Sequence, residues 1–233
     1  MEDIEVYTYI GGHRTHIRMQ KKIQLSAMTR YLTAPTEKEF WQLIRKYRDI
    51  NTVVDAGANM GFVSIVYAEA FPEATIYALE PSPSTFEYLV YNCKDFPNII
   101  PVNKGCYYES GYMELSFPDQ DRPEWNVNSG QKSIYGSGKE SETVRMERLD
   151  DIVSEKVDLL KIDVEGAEID VMEGAPRIIE KDHPIINIEF RDYNLERAGL
   201  TADDLLKYIM DRNYVLFGEW KKDPVFVHKK DYL

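Results

Sequence analysis

Cysteine is scarce in this chain: Cys93 and Cys106 are the only two among 233 residues. Two thiols cannot build a disulfide framework, so a hydrophobic interior must hold the fold, and a reducing cytoplasm is the expected setting. Long apolar runs are missing as well. No stretch approaches the roughly 18 residues that a membrane-crossing helix needs, so no membrane partner is expected. The segment MEDIEVYTYI carries acids where a secretory leader would carry Lys or Arg, and no leader is expected there. Positive charge is in deficit: 28 Lys and Arg stand against 40 Asp and Glu, for a formal net charge of −12. A surface that acidic repels phosphate backbones, and nucleic acid is not an expected partner. One basic cluster, HRTHIRMQKK over His13–Lys22, reads as a solvated face. Its His13 and His16 have no cysteine beside them to complete a zinc set. Internal repeats and low-complexity tracts are also lacking.

What is present suits a globular protein. The chain is 43% hydrophobic and 12% aromatic, enough for a packed core. Its length fits one domain with a small appendage. Residues 1–50 read as that appendage. IEVYTYI and THIRM flank Gly11-Gly12 as a hairpin. TEKEFWQLIRKY then reads as a helix capped by Thr36, with an apolar stripe of Phe40, Leu43, Ile44 and Tyr47.

From residue 51 to 233 the pattern is that of one domain. TVVDA, ATIYALE and NIIPVN are strands. FVSIVYAEA and STFEYLVYNC are helices between them, the second with Phe86, Leu89, Val90 and Cys93 on one face. Such alternation implies a parallel sheet. YMELSF and ETVRMERL interrupt it as strands around an inserted loop at about 118–141. A loop that long in a compact domain is usually functional. The alternation resumes with strand VDLLKID, helix AEIDVMEG, strand HPIINIEF and helix TADDLLKYIMDR, which Thr201 and Asp204 cap. YVLFGEW and DPVFVHK close the chain as an antiparallel pair. The expected fold class is α/β, a doubly wound and mostly parallel sheet.

The stretch VVDAGANMGF, Val53–Phe62, sits where such a sheet binds ligands, at the carboxyl end of a strand. It is not the dinucleotide fingerprint, because Asn59 and Phe62 stand where the second and third glycines belong. It lacks the Gly-Lys-Ser/Thr of a triphosphate loop. What remains is Asp-x-Gly-x-x-x-Gly, with Glu80 ending the next strand where an acid accepts from ribose hydroxyls. Asp55 would oppose a diphosphate and suits a sulfonium ligand with an ammonium tail. S-adenosylmethionine is the ligand these residues fit.

Three blocks, VVDAGANMGFVSIVYA, ALEPSPSTFEYLVYN and VDLLKIDVEGAEIDVMEGA, resemble the FkbM-type methyltransferases, and so does the short RLDDI before the third block. The resemblance runs roughly over Thr52–Phe217. It implies a Rossmann-like class I methyltransferase fold and S-adenosylmethionine-dependent O-methylation of a hydroxyl on a small molecule, often a sugar or a natural-product scaffold. By position it implies that Asp55, Gly57, Ala58, Asn59 and Gly61 form the cofactor loop. Glu80 would take the ribose, Pro81 and Ser82 would shape the next turn, and Asn103, Gly105 and Cys106 would lie near the adenine. Family members often carry Ala where Gly105 stands, a small-for-small change.

Methyl transfer needs the acceptor placed in line and relieved of its proton. Asp163 ends its strand beside the expected methyl, Glu165 follows in the turn, and Glu189 ends the next strand. These three are the catalytic candidates, with Asp163 or Glu165 as the base. Their oxygens could also hold Mg²⁺, although no metal residue is assigned. In the inserted loop Trp125, Asn128, Ser129 and Tyr135 are candidate contacts for a polyhydroxylated substrate. Two other readings stay open. One is a regulatory module that binds the cofactor without turnover; the other is a methyltransferase acting on protein or RNA. A homo-oligomer is neither required nor excluded by the sequence.

Overall fold

The computed structural model describes residues 3–10, 13–20, 37–117 and 132–232. The chain begins with an antiparallel hairpin of β1 (Asp3–Ile10) and β2 (His13–Gln20), followed by α1 (Glu37–Tyr47). The first wound half is β3 (Thr52–Ala56), α2 (Phe62–Ala70), β4 (Thr75–Leu79), α3 (Pro83–Cys93) and β5 (Ile99–Val102). β6 (Gly105–Cys106), β7 (Gly111–Ser116) and β8 (Ser141–Glu147) come next, then α4 (Leu149–Ile152). The second half holds β9 (Leu159–Ile162), α5 (Glu168–Glu173), a π-helical turn at Ile178–Asp182, β10 (Ile185–Ile188), α6 (Asp192–Arg197) and α7 (Ala202–Met210). β11 (Tyr214–Trp220), β12 (Asp223–His228) and α8 (Lys229–Tyr232) follow.

Seven strands form one sheet in the order β11-β12-β10-β9-β3-β4-β5. β10, β9, β3, β4 and β5 run parallel, and β12 and β11 add the antiparallel pair. This is the doubly wound, mostly parallel sheet with a closing antiparallel pair that the sequence predicts. Winding leaves β3 in one direction for β4 and β5, and in the other for β9 and β10. The crevice where ligands bind such sheets therefore opens at the carboxyl ends of β3 and β9.

The central strands β3, β9 and β10 are buried on both faces, and neighbouring residues of the sheet split between two cores. Val53, Leu159, Ile185 and Val225 point to one, Val54, Leu160, Ile186 and Phe226 to the other, as the two-residue strand period requires. The helix ends obey their sequence signals. Ser82 caps α3 at Thr85 N–H with Pro83 in the first turn, and Thr201 and Asp204 form a reciprocal capping box on α7. Among the described residues no helix is long and apolar enough to cross a membrane.

Two helical stripes differ from expectation. Leu43 and Tyr47 are 48% and 40% exposed, and Val90 is 45% exposed. On α1 the buried positions are Trp41 and Ile44. Trp41 meets Tyr67, Phe71 and Trp220 edge-on at 5.0, 5.7 and 5.0 Å, a packing geometry favoured by ring quadrupoles. On α3 a polar residue, Asn92, is buried and turns Val90 outward. The separate sheet β6-β8-β7 was not expected as a unit, because its parallel β6–β8 contact joins segments far apart in sequence. The solvated basic face is only partly so: Ile17 and Met19 of β2 are buried in the same core as Trp41. Trp41→Ala should cost about 3–5 kcal/mol of stability, measured by urea denaturation. A loss below about 1 kcal/mol would mean α1 is peripheral to the core.

Candidate active site

The turn after β3 is built from backbone. Gly57 and Ala58 N–H both donate to the Leu79 carbonyl, at 3.0 and 2.9 Å, and Gly61 N–H donates to Ala58 O at 2.8 Å. Gly57 has φ +84° and Gly61 φ +87°, a region glycine enters without steric cost. Contact makes the requirement stricter. A Cβ on Gly57 would lie 1.9 Å from the carbonyl oxygen of Asp163, and one on Gly61 2.6 Å from Cys93 Sγ. The glycine turn and the Asp163 turn thus touch through backbone. Asn59 also adopts positive φ, +51°.

Glu80 closes the turn. Its Oε2 accepts from Asn59 N–H at 3.0 Å and its Oε1 from Ser82 N–H at 2.9 Å. A carboxylate oxygen has a second lone pair, so each can take a further donor. Burial pushes the Glu80 carboxyl up to about 7, against the pull of those two N–H groups. Asn103 Nδ2 donates to the carbonyls of Glu80 and Pro81 at 2.9 and 3.1 Å and so fixes the next turn. Ser82 Oγ donates to Glu142, which also pairs with Lys132 at 2.9 Å.

Other residues that the resemblance assigns to the cofactor lie deeper. Asp55 is 1% exposed, and its Oδ2 accepts from Ser64 Oγ at 2.6 Å. It supports the turn from below. Burial pushes its carboxyl up to about 6, opposed by Lys161 and Ser64. A Cβ on Gly105 would press on the flexible Met146 side chain at 2.4 Å. Cys106 is packed in the core, where burial pushes its thiol up to about 12. That leaves no thiolate to act as a nucleophile.

Asp163, Glu165 and Glu189 converge, with one carboxylate oxygen of each within 4.8 Å of the others. Each has a cation beside it. Lys161 Nζ lies 3.0 Å from Asp163 Oδ2, Arg191 Nε 2.9 Å from Glu189 Oε1, and Arg197 Nη2 3.9 Å from Glu165 Oε2. Burial, then the neighbouring Glu189 and Asp163, push the Glu165 carboxyl well up, while Arg197 opposes. Glu189 is raised by burial and by Asp163, against Arg191. Crowding of this kind stores a proton, because like charges so close cannot all ionise cheaply. Glu165 itself has φ +59°, a strained conformation for a side-chain-bearing residue. Its carbonyl accepts from Ser133 Oγ at 2.7 Å and Arg197 Nη2 at 3.0 Å, which hold the turn.

Sequence reasoning missed several members of this arrangement. Glu168, and not Glu165, bonds Gly166 N–H, at 3.0 Å. Lys161 is fully buried, and the charged residue inside the apolar run VDLLKID was its signal. Burial alone would lower the Lys161 ammonium, but Asp163, Asp223 and Asp55 outweigh it and push it up. Tyr135 lies beside Gly166 and gives its hydroxyl to Asp170 at 2.7 Å. Trp125, Asn128 and Ser129 lie outside the described residues.

Glu168 generates a pH test. Burial raises its carboxyl from 4.5 to about 7. A raised acid favours the fold while protonated, so this term is full below pH 4.5 and lost as pH rises through about 7. At about 1.4 kcal/mol per pKa unit the loss is on the order of 3 kcal/mol. Glu168→Gln should flatten the decline in unfolding free energy between pH 5 and pH 8, read by urea denaturation at both.

Comparison with known proteins agrees with the geometry. The model of the methyltransferase FkbM domain matches residues 55–216. Methyltransferase 1 of Beauveria bassiana is 27% identical over 159 residues, 56% of this chain and 61% of that protein. The chain therefore spans about three-fifths of the length of such a relative. The hexuronic acid methyltransferase AglP of Haloferax volcanii is 24% identical over 84% of this chain and 82% of its own. Among solved structures, an FkbM methyltransferase from Methylobacillus flagellatus KT superposes with a TM-score of 0.53 at 17% identity, covering 77% of this chain and 44% of that one. The family match spans the glycine turn, Glu80 and all three carboxylates, and the chain belongs to the FkbM methyltransferase family.

Proposed function

We propose that the protein is an S-adenosylmethionine-dependent O-methyltransferase whose acceptor is a hydroxyl on a small molecule, most directly a sugar or a natural-product scaffold. The observation that carries this reading is the contact between Gly57 and the Asp163 carbonyl. It joins a turn suited to a nucleoside to a rim of proton acceptors. In this reading residues 51–233 are the catalytic domain and residues 1–50 an extension of it. A cytoplasmic setting fits Cys93 and Cys106, both free.

The cofactor supplies an activated methyl group on a sulfonium. Glu80 binds ribose hydroxyls with its remaining lone pairs, while Gly57, Ala58 and Gly61 let the backbone approach. Asp55 keeps the turn in shape through Ser64. Pro81, Ser82 and Asn103 frame the base, with Gly105 leaving room and Cys106 filling the core behind. Asp163, Glu165 and Glu189 orient the acceptor hydroxyl and receive its proton. Asp163 or Glu165 is the base, and at Glu165 burial favours the neutral acid that results. The three cations beside the carboxylates weigh against a Mg²⁺ site, since a divalent ion would have to displace or repel them. A hexuronic acid acceptor in one relative supports a sugar-type substrate.

Calorimetric titration with S-adenosylmethionine and S-adenosylhomocysteine, with NAD as control, tests the donor assignment. Micromolar affinity for the first two alone is expected, and no binding would remove it. A methyl-transfer screen on sugars and hydroxylated natural products, with and without Mg²⁺, then tests the acceptor. Cofactor binding without turnover on any of them would favour the regulatory alternative. Asp163→Asn and Glu165→Gln should each keep cofactor affinity within about twofold, and the one that removes the base should lower turnover about 100-fold or more. Because the Glu165–Glu189 pair is shifted up, it is protonated at low pH, so kcat/KM should rise with pH through neutrality. A flat profile from pH 5 to 9 would remove the pair from proton transfer.

A further inference from the structure

The donor reading leaves the N-terminal hairpin without a task, and Asn92 supplies one. Asn92 is 1% exposed near the end of α3, and both ends of its amide are engaged. Nδ2 donates to the Met60 carbonyl at 2.9 Å and to the Arg18 carbonyl at 3.3 Å. Oδ1 accepts from Arg18 N–H at 2.8 Å. Met60 belongs to the glycine turn and Arg18 to β2. One side chain therefore ties the cofactor turn to a hairpin outside the family match.

Two consecutive residues of that turn are held from two directions. Glu80 takes the Asn59 N–H and Asn92 takes the Met60 carbonyl. The restraint helps to hold the left-handed conformation of Asn59, at φ +51°. The surroundings carry the same coupling. Ile17 and Met19 of β2 share one buried cluster with Met60, Leu89 and Cys93. Arg18 lies over the rings of Tyr88 and Tyr91 at 6.0 and 5.8 Å, and His16 Nδ1 is 3.4 Å from the Tyr91 hydroxyl.

We propose that Asn92 is a positioning residue that couples the β1–β2 hairpin to cofactor binding. The docked hairpin holds the turn in the shape that accepts the nucleoside, and the bound nucleoside tightens the hairpin. The inference rests on the methyl-donor reading. Linkage makes it reciprocal: whatever the hairpin contributes to nucleoside affinity, the nucleoside returns to hairpin docking.

Hydrogen exchange on the full chain, with and without saturating S-adenosylhomocysteine, tests it. In the wild type the nucleoside should slow exchange of the Arg18 amide and its β2 neighbours at least about fivefold. Asn92→Asp keeps the acceptor for Arg18 N–H and loses both donated bonds; Asn92→Ala loses all three bonds without adding charge. Both should raise the nucleoside Kd about tenfold and abolish the exchange response. Ile209→Ala, buried in the other core, should lower Tm and leave Kd alone, which separates positioning from general destabilisation. A wild type that binds the nucleoside with unchanged β2 exchange would overturn the proposal, even if the Asn92 variants fail to fold. A wild type that binds no sulfur nucleoside would instead overturn the donor reading beneath it.

Discussion

The site depends on the way β3 and β9 lie side by side. Their parallel register sets Asp55 opposite Lys161 and Ala56 opposite Ile162, and Asp163 N–H donates to Ala56 O at 3.0 Å. That ladder brings two turns of opposite use together at the point where the sheet reverses its winding. A residue larger than glycine at 57 would push into the Asp163 peptide. The glycine turn and the Asp163 turn therefore cannot be adjusted independently. Lys161 sits between them as a buried cation with Asp55, Asp163 and Asp223 around it. A buried charge is tolerated when it is compensated, and removing one partner leaves the others exposed to the full desolvation cost.

The carboxylates of the site share a history of burial with different outcomes. Asp55, Glu80 and Glu168 are raised chiefly by desolvation, each tempered by N–H or O–H donors. Glu165 is raised by desolvation and by Glu189 and Asp163, and Glu189 by desolvation and Asp163. The first group shapes turns; the second converges with Asp163 on one rim. Lys161, Arg191 and Arg197 offset part of the negative charge of that rim.

Much of this was legible in the sequence, and the reasons are local. Alternating strand and helix periods gave the winding, Ser82 and Thr201 gave helix starts, and the spacing of Asp55, Gly57, Gly61 and Glu80 marked the tight turn after β3 that Glu80 closes. The convergence of Asp163, Glu165 and Glu189 followed once all three were placed at strand ends. What stayed hidden depends on partners distant in the chain. Stripe positions such as Leu43 and Val90 are apolar at the right spacing, yet Trp41 and Asn92 occupy the inward places because Trp220 and Met60 wait there. The small sheet β6-β8-β7 needs a parallel pairing that no local pattern announces. Arg197 and Ser133 fix the Glu165 turn through its carbonyl, a contact with no sequence signature.

The aromatic contact between Trp41 and Trp220 has a consequence for biosynthesis. One core contains Ile17, Met19 and Trp41 together with Trp220, Val225 and Val227. The early segments emerge from the ribosome long before the strands that cover them. They must wait, with apolar side chains uncovered, until β11 and β12 have been translated. Folding as the chain emerges can proceed through the wound halves in turn, but this core closes only once β11 and β12 have emerged, which makes the interval before that the one in which a chaperone would matter most.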